Sequence, residues 1–307
     1  MRAHVTRLLL VSVWIVCTGA ADWCYQTQVT CDSQCKGPDS WHELNGDCKK
    51  NRQSPINIVT RKTILDHKLT PFIFSGYQEA FSSTMKNNGH TVTATVPQSF
   101  TVRGGNLEST YKAVQFHFHW GVNGSAGSEH TIDGEQYPME MHIVHMKEEF
   151  DSLKNALMVK HGVAVLGFFY EKSNSANSKY GKLIEALTKL ESTDATTMLS
   201  GLSLSNLLPS EENMTNYYRY EGSLTTPNCT EGVVWTVFEH PIPLSNEQLV
   251  AFTSLKFKDG KPMIKTFRPV QPNHGYPVYR SGCTVILLSY TVLLACACSA
   301  LGLSRLY

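Results

Sequence analysis

Two histidine-rich stretches decide the fold: residues 115–120 read Q-F-H-F-H-W, and residues 140–145 read E-M-H-I-V-H. Large apolar residues occupy alternate positions in both stretches, which predicts two β-strands. Successive side chains of a strand point to opposite faces, so residues of equal parity lie together. One face of each strand therefore collects the following residues: Gln115, His117, His119, Glu140, His142 and Val144.

If these strands are neighbours, three imidazoles converge. Three neutral imidazoles suit Zn²⁺ and leave a fourth tetrahedral position for water, which is typical of catalytic zinc. Gln115 and Glu140 lie two residues from presumed ligands, where they can accept the outer ring N–H groups. An H-x-H pair is also typical of two half-exposed histidines, but His142 and the flanking acceptors favour zinc. His145 has the opposite parity, so we interpret it as a buried, hydrogen-bonded core histidine.

The length and charge of the chain favour a single domain without a nucleic-acid partner. The 307 residues carry 27 basic and 26 acidic side chains, and no change in composition divides the middle of the chain. The sequence contains no basic cluster that would steer the protein toward phosphate.

Hydrophobic patterning predicts many short strands and few helices. Residues 163–170 form a continuous apolar run, which indicates a strand buried on both faces. Residues 179–190 place their aliphatic side chains on one helical stripe. The predicted fold class is therefore α+β and predominantly β, with one large sheet and a few peripheral helices.

The N-terminus resembles a secretory signal. Residues 1–21 contain two arginines, an apolar run over residues 8–16 and small residues at 19–21. The apolar run is too short to span a bilayer. We predict cleavage after Ala20 or Ala21, which gives an extracellular mature chain in which disulfides can form.

The C-terminal stretch from residue 283 to residue 303 is 21 residues long and carries no charge. That length suffices to cross a bilayer. The small residues Ser281, Gly282 and Cys283 at its start suit the attachment of a glycosylphosphatidylinositol (GPI) lipid. The usual polar spacer is missing, so a single transmembrane helix stays open as an alternative. We predict a GPI signal over residues 282–307, with Ser281 as the lipid site.

Nine cysteines and three glycosylation sequons fit an extracellular chain. One cysteine leaves with the signal and three lie in the tail, which leaves Cys24, Cys31, Cys35, Cys48 and Cys229. Their spacing alone does not fix the pairing. The sequons lie in turn-like stretches and begin at Asn123, Asn213 and Asn228.

The two opening stretches, together with S-E-H-T-I-D-G-E at residues 128–135, resemble the α-carbonic anhydrases. Further matches are R-Q-S-P-I-N at 52–57, N-N-G-H at 87–90, G-S-L-T-T-P at 222–227 and V-W-T at 234–236. They follow the family's order from about residue 41 to residue 272, and the details are similar to its membrane-anchored extracellular branch. The resemblance implies a twisted, mostly antiparallel sheet of about ten strands.

The resemblance also implies two disulfides. One joins Cys48 to Cys229. The other is a local bridge from Cys24, for which we favour Cys35 as the partner. Cys31 is then unpaired, and the alternative bridge from Cys24 to Cys31 stays open.

The implied function is the reversible hydration of carbon dioxide to bicarbonate and a proton. The resemblance implies one Zn²⁺, held by His117, His119 and His142. Gln115 and Glu140 match the residues that orient these ligands.

Other positions match family residues that act on the substrate or the proton. Thr225 matches the residue whose hydroxyl orients the attacking hydroxide, and Glu129 matches the acceptor that fixes this hydroxyl. His90 matches the proton-shuttle position, although a lone turn histidine is usually just solvated. The residues that match the substrate side and its apolar wall are Thr225, Thr226, Val144, Val165, Leu224 and Trp235.

The resemblance implies a monomeric catalytic domain over residues 22–281, held at the extracellular face of the plasma membrane by its lipid. Its expected partners are carbon dioxide, bicarbonate and water, with a bicarbonate transporter as a candidate protein partner. A catalytically inactive ectodomain that serves as a binding module is the alternative. The presence of all three histidines favours the enzyme.

Overall fold

The computed structural model describes residues 22–30 and 35–282. The predicted signal peptide, Cys31 and the predicted GPI signal from residue 283 onward lie outside the described residues. Within the described ranges, no helix is both long enough and apolar enough to cross a membrane.

The strands are numbered in chain order. They are β1 (Asn57–Ile58), β2 (Ile64–Asp66), β3 (Phe72–Ser75), β4 (Phe81–Asn87), β5 (Val92–Thr95), β6 (Thr101–Gly104), β7 (Tyr111–Trp120), β8 (Thr131–Ile132), β9 (Glu135–Gln136), β10 (Met139–Lys147), β11 (Val163–Ser173), β12 (Thr196–Leu202), β13 (Tyr217–Ser223), β14 (Glu231–Ser245) and β15 (Tyr279–Ser281).

The helices are short and peripheral. The α-helices are α1 (Trp41–Leu44), α2 (Leu153–Ala156), α3 (Gly181–Leu187) and α4 (Asn246–Ala251). Single 3-10 turns lie at Gln26–Gln28, Pro38–Ser40, Gly46–Lys49, Thr60–Lys62, Ser178–Tyr180, Leu204–Leu207, Glu211–Met214 and Phe252–Ser254. The helix predicted over residues 179–190 is confirmed in part, because α3 is shorter and follows a 3-10 turn.

Twelve of the strands form one mixed sheet, which confirms the predicted fold class. Its main path has ten strands in the order β12-β4-β5-β7-β10-β11-β14-β13-β15-β2, and β6 pairs with both β7 and β3 beside this path. Most pairs are antiparallel, but β11 runs parallel to β14 and β15 runs parallel to β2. A small separate sheet joins β1, β8 and β9.

The two faces of the central strands contact different apolar clusters. Phe116 and Phe118 of β7 and Ile143 of β10 belong to the larger core. Val144 of β10, at the opposite parity, belongs to a second cluster on the other face. The run at residues 163–170 lies in β11 and is buried throughout, as predicted. His145 is fully buried and contacts the Tyr77 hydroxyl, which confirms its interpretation as a core histidine.

Two disulfides attach peripheral segments to the sheet. Cys24 pairs with Cys35, and Cys48 pairs with Cys229 across 181 residues, so both favoured pairings are confirmed. The backbone N–H of Cys229 donates to the carbonyl of Thr226, 2.7 Å away. The long-range disulfide therefore fixes the loop that carries Thr225 and Thr226.

Candidate metal centre

The three predicted zinc ligands converge on adjacent strands. In the antiparallel register of β7 and β10, His142 lies directly opposite His117, and Glu140 lies opposite His119. The centroids of the three imidazole rings are 4.6 to 5.2 Å apart. One ring nitrogen from each histidine lies within 4.8 Å of the others, which is close enough to share an ion.

An oxygen acceptor holds the outer nitrogen of each ring. Nδ1 of His117 lies 3.0 Å from Oε1 of Gln115, and Nδ1 of His119 lies 2.7 Å from the carbonyl of Thr266. Nε2 of His142 lies 2.7 Å from Oε1 of Glu140. Because carbonyl, amide and carboxylate oxygens only accept, each outer nitrogen carries the ring proton. The inner nitrogens keep their lone pairs for a metal.

Burial keeps all three rings neutral. Burial, followed by the charges of the neighbouring imidazoles, holds the pKa of His117 well below its usual range. The same causes lower the pKa of His119 to about 3, and burial lowers the pKa of His142. Nε2 of His119 faces Nδ1 of His142 at 3.1 Å. Two lone pairs at that distance repel unless a cation lies between them, so the site fits a metal ion.

The Glu140 carboxylate is fully buried and accepts four hydrogen bonds. Its Oε2 receives the backbone N–H groups of Glu129 and His130 at 2.9 and 2.8 Å, and its Oε1 receives ring nitrogens of His130 and His142 at 2.7 Å each. Burial alone would raise the pKa of Glu140, but the two imidazoles hold it well below its usual range. A charged Glu140 therefore locks the orientation of His142.

Gly167 makes room for this pair. It lies opposite His142 in the register of β10 and β11. A Cβ atom at this position would stand 3.1 Å from Oε1 of Glu140 and 3.7 Å from the imidazole of His142. The glycine inside the apolar run of β11 therefore has a steric reason.

Glu129 and Thr225 lie beside the metal site. Burial raises the pKa of Glu129, while the backbone N–H of Arg268 and the Thr225 side chain lower it. Oε1 of Glu129 accepts from the Arg268 N–H at 2.8 Å. Its Oε2 has no partner of normal hydrogen-bond geometry, the Thr225 hydroxyl included, and lies 3.4 Å from Nε2 of His119. A buried carboxylate oxygen without a donor, next to the predicted metal ligands, indicates a position where a further hydrogen-bond donor can bind.

The predicted apolar wall is continuous across three strands. Val144 pairs with Val165, and Val165 pairs with Trp235. All three are buried and share one apolar cluster, against which Leu224 packs. Thr226 lines a separate stretch of the site, a cavity of about 150 Å³ that it shares with His117 and His119.

His90 lines the same cavity, away from the ligands. Its ring stacks on the indole of Trp23, with centroids 3.7 Å apart and planes 9° from parallel. Burial lowers the pKa of His90, while the Asp22 charge raises it and the Lys258 charge lowers it. The structure thus brings His90 to the cavity but not into contact with the ligands.

The sequence did not predict a role at the site for four residues: Thr266, Arg268, His130 and Tyr220. Thr266 acts through its backbone carbonyl and Arg268 through its backbone N–H, and neither leaves a side-chain signal. His130 connects Glu140 to the hydroxyl of Tyr220. The S-E-H segment contains this histidine, but its partners only meet in three dimensions.

The remaining predicted residues are the candidate glycosylation and lipid sites. The three sequon asparagines are exposed: Asn123, Asn213 and Asn228. Ser281 ends β15 and is buried, with its hydroxyl 2.8 Å from the carbonyl of Thr215 and 2.9 Å from the N–H of Tyr217.

Comparison with known proteins agrees with this geometry. Residues 36–282 match the sequence model described as eukaryotic-type carbonic anhydrase. Carbonic anhydrase 4 of Rattus norvegicus is 41% identical over 276 residues, which cover 89% of this chain and 88% of the relative. For carbonic anhydrase 4 of Oryctolagus cuniculus the identity is 42%, with 84% of each chain covered. Carbonic anhydrase 15 of Mus musculus is 37% identical, with 87% of this chain and 85% of the relative covered. The chain therefore belongs to the eukaryotic-type carbonic anhydrases, a family of zinc enzymes that hydrate carbon dioxide.

Proposed function

We propose that this carbonic anhydrase works at the extracellular face of the plasma membrane and holds one Zn²⁺ on His117, His119 and His142. The convergence of three neutral imidazoles, each with its outer nitrogen bound to an oxygen, carries the proposal. Gln115 and Glu140 position two of these rings, and the Thr266 carbonyl positions the third. When bound, the ion acts as a Lewis acid that lowers the pKa of a water to about 7, a value known for carbonic anhydrase and not obtained from this structure.

The residues of the chain divide the remaining work. Val144, Val165 and Trp235 offer carbon dioxide, which has no hydrogen-bond donor, a surface from which water is excluded. Leu224 extends this surface. The hydroxyl oxygen of Thr225 would accept a hydrogen bond from the attacking hydroxide and so turn a lone pair of that hydroxide toward carbon dioxide. The Thr225 O–H would in turn donate a hydrogen bond to Glu129, whose Oε2 has no other donor.

Thr226 and His90 act on the polar side of the same site. Thr226 lines the cavity beside His117, where bicarbonate has to leave. His90 receives the proton released in each cycle and passes it to solvent. Its lowered pKa favours the neutral ring that can accept this proton.

The location rests on the two ends of the chain. We propose that residues 1–21 direct secretion, residues 22–281 form a monomeric catalytic domain, and residues 282–307 direct attachment of a GPI lipid at Ser281. The lipid would then join the chain where β15 ends, a strand that lies between β13 and the edge strand β2. Exposed Asn123, Asn213 and Asn228 are the proposed glycan sites, and a bicarbonate transporter is the proposed protein partner.

Expression of the full chain on intact cells tests this proposal. We expect carbon dioxide hydration outside the cells. We also expect phosphatidylinositol-specific phospholipase C to release the active protein from the membrane. Activity that stays on the membrane, together with a tail peptide found by mass spectrometry, would assign a transmembrane anchor instead. A surface protein without hydration activity would favour the inactive binding module, which no observation in the described residues supports.

A further inference from the structure

A buried arginine lies on the side of the sheet away from the metal. Arg219 and Tyr220 are consecutive in β13, so their side chains leave opposite faces. The Tyr220 hydroxyl bonds to His130 and Ser54 on the metal side. Arg219 instead lines a separate cavity of about 330 Å³, together with Tyr111 and other residues.

The guanidinium of Arg219 forms no ion pair with any of the described residues. Only 8% of the residue is exposed. Its Nε and Nη2 both donate to the hydroxyl of Thr236, at 3.1 and 3.0 Å. A guanidinium has five N–H groups, so three find no acceptor in the part of the chain that the structure describes. An ion buried without its counterion is costly, and an arginine is seldom fully buried unless it is paired.

Two aromatic rings stabilise the Arg219 cation, but only in part. The guanidinium carbon lies 5.8 Å from the centre of the Phe72 ring and 5.9 Å from that of Tyr217. Such contacts stabilise the cation through the face of a ring. They offer no acceptor in the plane of the N–H groups, so the edge of the guanidinium still needs oxygen atoms.

The acidic residues beside the cavity already have partners. Glu108 binds Lys147 at 2.8 Å and Nδ1 of His161 at 2.6 Å. It therefore has two donors of its own and makes no ion pair with Arg219.

Glu221 is two residues from Arg219 on the same face of β13, yet it binds elsewhere. It receives Lys160 at 3.0 Å, Nε2 of His161 at 3.0 Å and Arg52 at 3.4 Å. The carboxylates of Glu108 and Glu221 are thus compensated by other cations. The Asp66 carboxylate acts on the charge of Arg219 without forming an ion pair, so the N–H groups at the edge of the guanidinium keep no carboxylate partner among the described residues.

We propose that this cavity binds a small planar oxyanion of the carboxylate class, either bicarbonate or an organic carboxylate, on the free edge of Arg219. The planar fork of a guanidinium matches two carboxylate oxygens in a bidentate pair, which a point charge cannot do. The ligand supplies the missing acceptors and the missing negative charge together. A single such pair with a ligand this small gives a dissociation constant of roughly millimolar order.

The test follows amide signals by nuclear magnetic resonance in the zinc-loaded, detergent-solubilised protein. Sodium acetate or sodium bicarbonate replaces sodium chloride at constant ionic strength. We expect saturable shifts at Thr236 and Tyr279, beside Arg219, and separate shifts at Thr225 wherever the anion also reaches the metal site. Saturation by bicarbonate identifies the product of the enzyme as a ligand, and saturation by acetate alone supports the site and assigns it to organic carboxylates.

Substitutions locate the binding. Arg219→Gln should abolish the saturable shifts at Thr236 and Tyr279 and leave those at Thr225. Arg219→Lys, which keeps the charge and loses the fork, should weaken binding at least about fivefold and serves if the glutamine variant does not fold. Arg280→Gln removes an exposed arginine from the neighbouring strand β15 and should behave as the wild type. Shifts that are linear in acetate, that chloride also produces, or that persist without Arg219 would overturn the proposal.

Discussion

Nε2 of His142 lies 2.7 Å from Oε1 of Glu140, and both side chains face the bare backbone of Gly167. This relationship predicts that Gly167→Ala weakens zinc binding, because a Cβ would stand 3.1 Å from Oε1 of Glu140 and push the carboxylate off His142. Changes behind a metal ligand typically cost 10- to 100-fold in affinity, so we expect at least a tenfold loss. Competition with a zinc chelator measures it.

Gly181→Ala is the matched control. A Cβ there meets no atom within 4 Å. We expect unchanged zinc affinity for this variant, and equal affinity for Gly167→Ala would contradict the steric argument.

The buried core histidine predicts an acid-sensitive stability. Burial lowers the pKa of His145 from 6.5 to about 4. Between these pH values the His145 imidazole binds a proton in the unfolded chain but not in the folded chain. The free energy of unfolding therefore falls as the pH falls from 6.5 to 4. The 2.5-unit difference corresponds to about 3 kcal/mol at most.

His145→Gln should remove this part of the pH dependence, although it costs stability at pH 7 by disturbing the contact with Tyr77. Urea denaturation at several pH values measures both effects. The exposed His274, changed to Gln, is the control and should leave the profile unchanged. An unaltered slope for His145→Gln would contradict the assignment.

The two disulfides should differ in their contribution to stability. Cys48–Cys229 closes a loop of 181 residues and Cys24–Cys35 a loop of 11. Loop-closure entropy gives upper figures of about 5 and about 3 kcal/mol. We therefore expect the variant with serine at both Cys48 and Cys229 to lose about 2 kcal/mol more of the free energy of unfolding than the variant with serine at both Cys24 and Cys35. Urea denaturation measures the difference. The variant of Cys48 and Cys229 should also lose activity, because Cys229 fixes the loop of Thr225. Equal losses for the two variants would contradict this order.

The position of His90 predicts a defect in proton transfer without a defect in the reaction of carbon dioxide. An acid of pKa about 7 releases protons directly to water no faster than roughly 10³ s⁻¹. Carbonic anhydrase is known to turn over at about 10⁶ s⁻¹, so a nearby acceptor is required. His90→Ala should lower kcat at least about tenfold in dilute buffer, with kcat/KM nearly unchanged, and added imidazole should restore kcat.

The pH profile gives a second readout. Because burial lowers the pKa of His90 from 6.5, the kcat of hydration should decline only below pH 6.5. A parallel fall of kcat/KM in His90→Ala would place His90 in the reaction with carbon dioxide and contradict the shuttle role.

Side-chain parity predicts much of the site from the sequence. It separates His142 from His145 correctly, because β10 is long and keeps its alternation through both residues, although its register against β7 shifts between Val144 and His145. The contribution of Thr266 could not be predicted, since a carbonyl group is common to every residue. The path of Glu140 through His130 to Tyr220 joins segments that lie far apart in the sequence, and only the folded sheet brings them together.

The proposed function requires that the three histidines hold a catalytic zinc ion. Metal analysis combined with stopped-flow carbon dioxide hydration on the secreted catalytic domain tests it most directly, with His119→Ala as the variant and His145→Ala as a matched histidine loss. We predict one zinc per chain and rapid hydration in the wild type, loss of both in His119→Ala with the sheet retained by circular dichroism, and zinc still bound in His145→Ala. Full hydration activity in protein that contains no zinc would contradict the assignment of these histidines as zinc ligands.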